Sequence, residues 1–149
     1  MIYRDSKEEL VRQGLIKQCP VDWNAINSLM KRARIDLKTA QRNINEDAEC
    51  SYNYAYNAML RAGLALMFSG GYRPDVKGKH LTVVKFTSID LGEEHNKMIN
   101  NYDYMRRKRH HLIYEPGLPC SKKEAEDAID TATRLVAIID RLIREKNPQ

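Results

Sequence analysis

Between Ala125 and Leu142 the apolar residues Ala125, Ala128, Ile129, Ala132, Leu135, Val136, Ile139 and Leu142 recur at helical spacing and share a single face. Ser121-Lys122-Lys123-Glu124 stands just ahead of them with the spacing of a capping box, in which the Ser hydroxyl and the Glu carboxylate satisfy each other's free backbone N–H groups. A helix this amphipathic needs another apolar face to cover it, and the rest of the chain offers more of the same kind. Ile26, Leu29, Met30, Ala33, Leu37, Ala40 and Ile44 place a stripe on a long helix that Pro20 precedes and Asp22 is set to cap. Ala55, Ala58, Met59, Ala62, Leu66 and Met67 place another between about Cys50 and Phe68, with Gly70-Gly71 as left-handed residues to close it.

Shorter segments complete the pattern. Ser6-Lys7-Glu8-Glu9 is a second capping box and opens a short helix ending near Gly14. A further segment runs from about Lys79 to Ser88, and a fourth principal helix begins near Glu93-Glu94 and continues to about Ile113. Glu115 precedes Pro116 and is pushed away from helical geometry, so that helix should stop there. No segment shows sustained period-two alternation, and only 7% of residues are aromatic, which disfavours a many-stranded sandwich. The expected fold is all-α: a single up-and-down bundle of four principal helices with short extra helices. One domain spans 1–149, with a helical extension over 1–20 and the bundle over 22–145.

Cys19, Cys50 and Cys120 are odd in number and widely separated, which suits neither a disulfide framework nor a zinc site. They read as reduced thiols, no metal or cofactor is expected, and the expected location is the cytoplasm. No apolar run approaches the ~18 residues of a membrane span, and Met1-Ile2-Tyr3-Arg4-Asp5 lacks the apolar stretch of a signal peptide.

The net charge of +5 is unevenly distributed. Residues 22–49 carry five acids and five bases, and 121–149 carry six of each, so those helices are neutral. Residues 72–90 set Arg73, Lys77, Lys79 and Lys85 against Asp75 and Asp90. Residues 93–113 set Lys97, Arg106, Arg107, Lys108 and Arg109 against Glu93, Glu94 and Asp103. The densest cluster is Arg106-Arg107-Lys108-Arg109-His110-His111. A run like this at a helix end complements the helix dipole and can be no more than a solvated terminus. One residue points further. The stripe through Met98, Tyr102, Met105 and Leu112 passes through Arg109, and an arginine on a core-facing stripe must be paired or turned into a cleft or a second subunit. Asp36 and Asp47 are the candidate partners on the first long helix.

Arginine and histidine together at a helix end suit RNA chemistry. A guanidinium can grip a phosphodiester and stabilise the charge that grows as a 2′-hydroxyl attacks phosphorus, while an imidazole moves the proton. The chain has no Gly-rich phosphate loop, no Cys/His metal cluster and no nucleophile elbow.

From about residue 22 to 145 the sequence resembles the HEPN-domain family, the higher-eukaryote and prokaryote nucleotide-binding helical domains. The resemblance is carried by the long first helix, the small-residue helix Tyr52-Asn53-Tyr54-Ala55-Tyr56-Asn57-Ala58-Met59-Leu60-Arg61-Ala62, and the turn Gly71-Tyr72-Arg73. Gly78-Lys79-His80, the basic end of the fourth principal helix and the capped final helix complete it. The family pattern is an Arg, usually followed by a polar residue, then a His after four to six intervening residues. The resemblance implies metal-independent endoribonuclease activity in many members, often with the motif duplicated across a homodimer. It also implies a frequent role as a toxin beside a nucleotidyltransferase-like antitoxin, and other members only bind nucleic acid or nucleotide.

Two registers fit. From Arg109 the polar residue is His110, and Tyr114 stands where the His is expected. From Arg106 the literal spacing ends on His111. The inward position of Arg109 favours the first register, with Arg109 and Arg106 holding the scissile phosphate, His110 or His111 transferring protons and Tyr114 positioning the phosphate or 2′-hydroxyl. Arg106, Arg107, Lys108 and Arg109 are the expected nucleic-acid contacts. RNA or nucleotide, a second copy of the chain and a nucleotidyltransferase-like antitoxin are the expected partners. A noncatalytic module that binds nucleotide, RNA or protein is the competing reading. His80 and His95 read as capping, surface or satisfied histidines, with phosphate contact as the alternative; Trp23 reads as a core or interface anchor ahead of a base-stacking platform, and Tyr52, Tyr54 and Tyr56 as core and dimer packing residues ahead of base stacking.

Overall fold

The computed structural model describes residues 5–75, 78–115 and 117–148. Residues 1–4, Lys77 and Pro116, which entered the sequence reading, lie outside them. In chain order the elements are α1 (Lys7–Arg12), β1 (Ile16–Gln18), α2 (Trp23–Asn43), α3 (Ala48–Ser69), β2 (Tyr72–Pro74), α4 (Lys79–Leu91), a 3-10 turn (Glu93–His95), α5 (Asn96–Tyr114) and α6 (Lys122–Lys146). The fold is all-α, and the two three-residue strands are an appendage to it.

The caps fix where the long helices begin. Asp22 accepts hydrogen bonds from the Asn24 and Ala25 amides at 3.0 and 3.3 Å, and Asp47 accepts from the Cys50 amide at 3.0 Å. Ser121 and Glu124 form the full reciprocal box at the start of α6. At α1 the box is half made, since Ser6 accepts from the Glu9 amide but gives its own hydroxyl proton to the Glu9 carboxylate at 3.4 Å. Gly78 opens α4 in the left-handed region at φ 64, where a side chain would be strained.

Three boundaries differ from the sequence expectation, and one small element is added to it. Gly71 alone is left-handed at the end of α3, while Gly70 at φ −90 donates to the Leu66 and Met67 carbonyls. The third segment extends past Ser88 to Leu91, and Glu93-Glu94 form a 3-10 turn from which α5 then departs. The chain also forms an antiparallel ribbon that pairs Ile16 with Pro74 and Gln18 with Tyr72. Three-residue strands are too short to display a period of two.

Helix α3 sits at the centre and packs against α2, α4, α5 and α6. It is therefore buried around much of its circumference, and Ala55, Ala58, Ala62, Gly63 and Ala65 let its neighbours approach. At Gly63 the approach leaves no room for a side chain, since an added Cβ would run into Val83 Cγ1 of α4. Helices α2 and α6 present the expected faces, with Ile26, Met30, Ala33 and Ala40 buried on one and Ala125, Ala128, Ala132, Leu135, Val136 and Ile139 on the other. On α5, Ile99 rather than Met98 heads the buried stripe.

Ion pairs pin the ends of the chain. Asp90 of α4 takes Lys7 at 2.7 Å and Lys146 at 3.4 Å. Cys19, Cys50 and Cys120 are half-buried and free of disulfides. Among the described residues, no helix is long and apolar enough to cross a membrane.

Candidate nucleic-acid interface

The basic run occupies the last turns of α5, and its members diverge there. Asp103, one turn earlier and 8% exposed at its side chain, holds Arg106 Nε at 3.0 Å and Arg107 Nε at 3.6 Å. Both guanidiniums are thereby positioned with donors to spare. Lys108 turns the other way: its Nζ lies 2.9 Å from Glu124 and 3.3 Å from the Pro119 carbonyl. The Glu124 contact holds the Lys108 ammonium above its ordinary pKa and, together with the Ser121 amide, holds the Glu124 carboxyl below its own. Lys108 thus ties α5 to the start of α6 and is absent from the cleft lined by its neighbours.

Arg109 is half-buried and lies over the face of Tyr56, its guanidinium carbon 5.3 Å from the ring centroid. Its Nε is buried with no hydrogen-bond partner. Neither expected carboxylate reaches it. Asp36 is bound by Arg61 at 2.7 Å and approached by Arg32 at 3.7 Å, and Asp47 is occupied as the α3 cap. The aromatic face takes the place of a counter-ion because α3 presents a fully buried tyrosine where α5 crosses it.

The Tyr56 hydroxyl lies 2.8 Å from His80 Nδ1, and the two rings stack at 5.7 Å. Burial pushes the Tyr56 phenol well above its usual range, so it stays protonated. Burial, then the positive charges of Arg109, Lys79 and Arg106, lowers the pKa of His80 and favours its neutral form. His80, Arg106, Arg107, Arg109, His110, His111, Ile113 and Tyr114 line one open cleft of about 400 Å3. At its mouth the His110 and Tyr114 rings lie 4.6 Å apart, and His111 Nδ1 is 3.3 Å from Glu115. Tyr114 is 69% exposed and Ile113 is 50% exposed, an apolar rim beside a cationic floor.

The fold therefore brings together Arg106, Arg107, Arg109, His110, His111 and Tyr114, leaves Lys108 outside, and adds His80 with Tyr56 beneath. His80 and Tyr56 were each noticed in the sequence, but not their pairing, because 24 positions separate them and no periodicity links the start of one helix to the middle of another. The remaining aromatics behave as packing residues: Tyr52 is buried, and Tyr54 and Trp23 pack half-buried against the core. A larger groove of about 580 Å3 runs between α5 and α6, where Glu94, Glu124, Asp127 and Asp130 outnumber Lys97 and Arg134, so it lacks the cationic excess of the first cleft. Among the described residues, no three His, Cys, Asp or Glu side chains gather as a metal-ligand set.

Neither a curated protein nor a solved structure matches the chain significantly. The family model described as HEPN domain matches residues 26–142, which takes in most of α2, all of α3 to α5 and most of α6. With most of its length covered by that match, the chain belongs to the HEPN-domain family.

Proposed function

We propose that this protein binds RNA in the cleft at the end of α5 and cleaves it as a metal-independent endoribonuclease of the toxin type. The observation that carries the reading is the convergence of Arg106, Arg107 and Arg109 with His80, His110 and His111 on one concave surface. Arg109 and Arg106 hold the scissile phosphate through their planar guanidinium groups. His110 or His111 returns a proton to the departing oxygen, and Tyr114 positions the phosphate or 2′-hydroxyl. Two copies of residues 106–114 face each other across a homodimer, with the exposed Ile113 and Tyr114 in contact. A nucleotidyltransferase-like antitoxin is the partner such a toxin requires.

Incubation of the protein with mixed RNA in EDTA tests this directly. Cleavage that survives chelation and disappears in Arg109→Ala and His110→Ala supports the enzyme. Intact RNA at high protein concentration contradicts it and leaves the noncatalytic binding module. Tyr114 in the expected His position favours that second reading, because a phenol with pKa ~10 is a poor proton shuttle at neutral pH.

A further inference from the structure

We infer that His80, brought to the cleft floor from the start of α4, is the group that takes the proton from the attacking 2′-hydroxyl, and that Tyr56 is its positioning residue. The inference rests on the reading of the cleft as an RNA site. Three observations of geometry carry it. His80 lines the same cleft as Arg106 and Arg109. Its Nδ1 is engaged by the Tyr56 hydroxyl at 2.8 Å, which leaves Nε2 as the nitrogen free to meet a ligand. Arg109 and His80 are both held by the Tyr56 ring, one over its face and one stacked beside it, so phosphate grip and proton acceptor share a mount.

The chemistry follows from that placement. Tyr56 keeps its own proton and can accept the Nδ1–H of His80, the tautomer in which Nε2 carries a lone pair. Nε2 removes the 2′-hydroxyl proton, the 2′-oxygen bonds to phosphorus, and the bond from phosphorus to the 5′-oxygen breaks. The 5′-oxygen departs with the bonding pair and receives a proton from His110 or His111. The products are a 2′,3′-cyclic phosphate and a free 5′-hydroxyl. An acceptor must be unprotonated beforehand, and the groups facing His80 arrange this. Burial disfavours the imidazolium first, and Arg109 and Arg106 on α5 and Lys79 on its own helix add to it. Arg107, His110, His111 and Tyr114 complete the cleft wall, and Asp103 is turned to the arginines.

The test compares cleavage of mixed RNA, across pH and in EDTA, with binding of a 2′-O-methyl oligonucleotide that cannot be cut. His80→Gln should bind the oligonucleotide like the wild type, which also shows that it is folded. Its cleavage rate should fall by about 100-fold or more, and it should lose the acid limb that the wild type shows below about pH 6.5. Tyr56→Phe keeps the ring under Arg109 but removes the acceptor for Nδ1–H, so the limb should move to lower pH with binding intact. The inference is overturned by His80→Gln cleaving within about twofold of wild type with the same limb. It is equally overturned if binding falls as far as cleavage, or if wild type binds RNA but leaves it intact. Wild-type oligonucleotide affinity in Arg109→Ala would instead bring down the cleft reading itself.

Discussion

Arg109 lies over the face of Tyr56 with its guanidinium carbon 5.3 Å from the ring centroid, and that contact replaces the carboxylate partner a half-buried arginine would ordinarily demand. A π-face disfavours loss of the charge without neutralising it, so the guanidinium still attracts an anion. A carboxylate at the same place would have quenched the site.

The first prediction concerns that contact. Arg109→Ala should weaken RNA binding by about tenfold or more, as expected for a lost charge-assisted contact of about 1.5–3 kcal/mol. Arg109→Lys keeps the charge but loses the planar fork, and should recover only part of the affinity. Oligonucleotide titration at fixed salt measures both, and equal affinity for the Lys variant and wild type would deny the guanidinium a specific role.

Lys108 and Arg107 are sequence neighbours with different work. Arg107 is 59% exposed at its side chain and lines the cleft, whereas Lys108 is 13% exposed and bound to Glu124. Arg107→Ala should reduce the slope of log affinity against log salt by about 0.7, the value for one phosphate on a single strand. Lys108→Ala should leave that slope alone and cost up to about 1 kcal/mol of stability in denaturant titration. The reverse pattern would mean that the two cations have been assigned the wrong way round.

His80 gives a pH dependence of stability. Its folded pKa lies below its ordinary value, so the unfolded chain binds the proton more readily. The native state is fully favoured above about pH 6.5, and its advantage is lost as pH falls from there through the folded pKa. His80→Gln should flatten that decline. Melting temperatures between pH 7.5 and 5 for the two proteins are the check, and parallel curves would show that His80 is not held neutral.

Two packing predictions separate close approach from charge. Gly63→Ala drives a methyl into Val83 Cγ1, so it should destabilise by about 1–3 kcal/mol despite the better helix propensity of Ala. Arg61→Ala strands the Asp36 carboxylate, 1% exposed, and should cost about 2–4 kcal/mol, while Arg32→Ala, whose side chain is 52% exposed, should cost well under about 1. Chemical denaturation ranks the three, and an Arg32 variant as damaging as the Arg61 variant would contradict the pairing.

Much of the bundle was legible because helical periodicity and capping are local. Asp22 and Ser121 announce their helices within three residues of the bonds they make, whereas Asp47, read as a partner for Arg109 on the first long helix, caps the next helix instead. The inward face of Arg109 was legible for the same reason, as one position on a stripe. What faced it was not. Asp36 looked available because its charge could be read, but its engagement by Arg61 25 positions away could not. The same limit hid the contact between Tyr56 and His80, which meet across the α3–α4 crossing. Lys108 was grouped with its neighbours by adjacency, although one step along a helix rotates a side chain by about 100° and carried this one toward α6.

Titration of the isotope-labelled protein with a 2′-O-methyl oligonucleotide, followed residue by residue by NMR, locates the RNA site on the molecule. The account predicts that the largest shifts fall on His80 and on residues 106, 107 and 109–114, while the acidic groove at Tyr104, Asp127 and Asp130 stays unchanged. Shifts centred on that groove, or none at all at low salt, would contradict it.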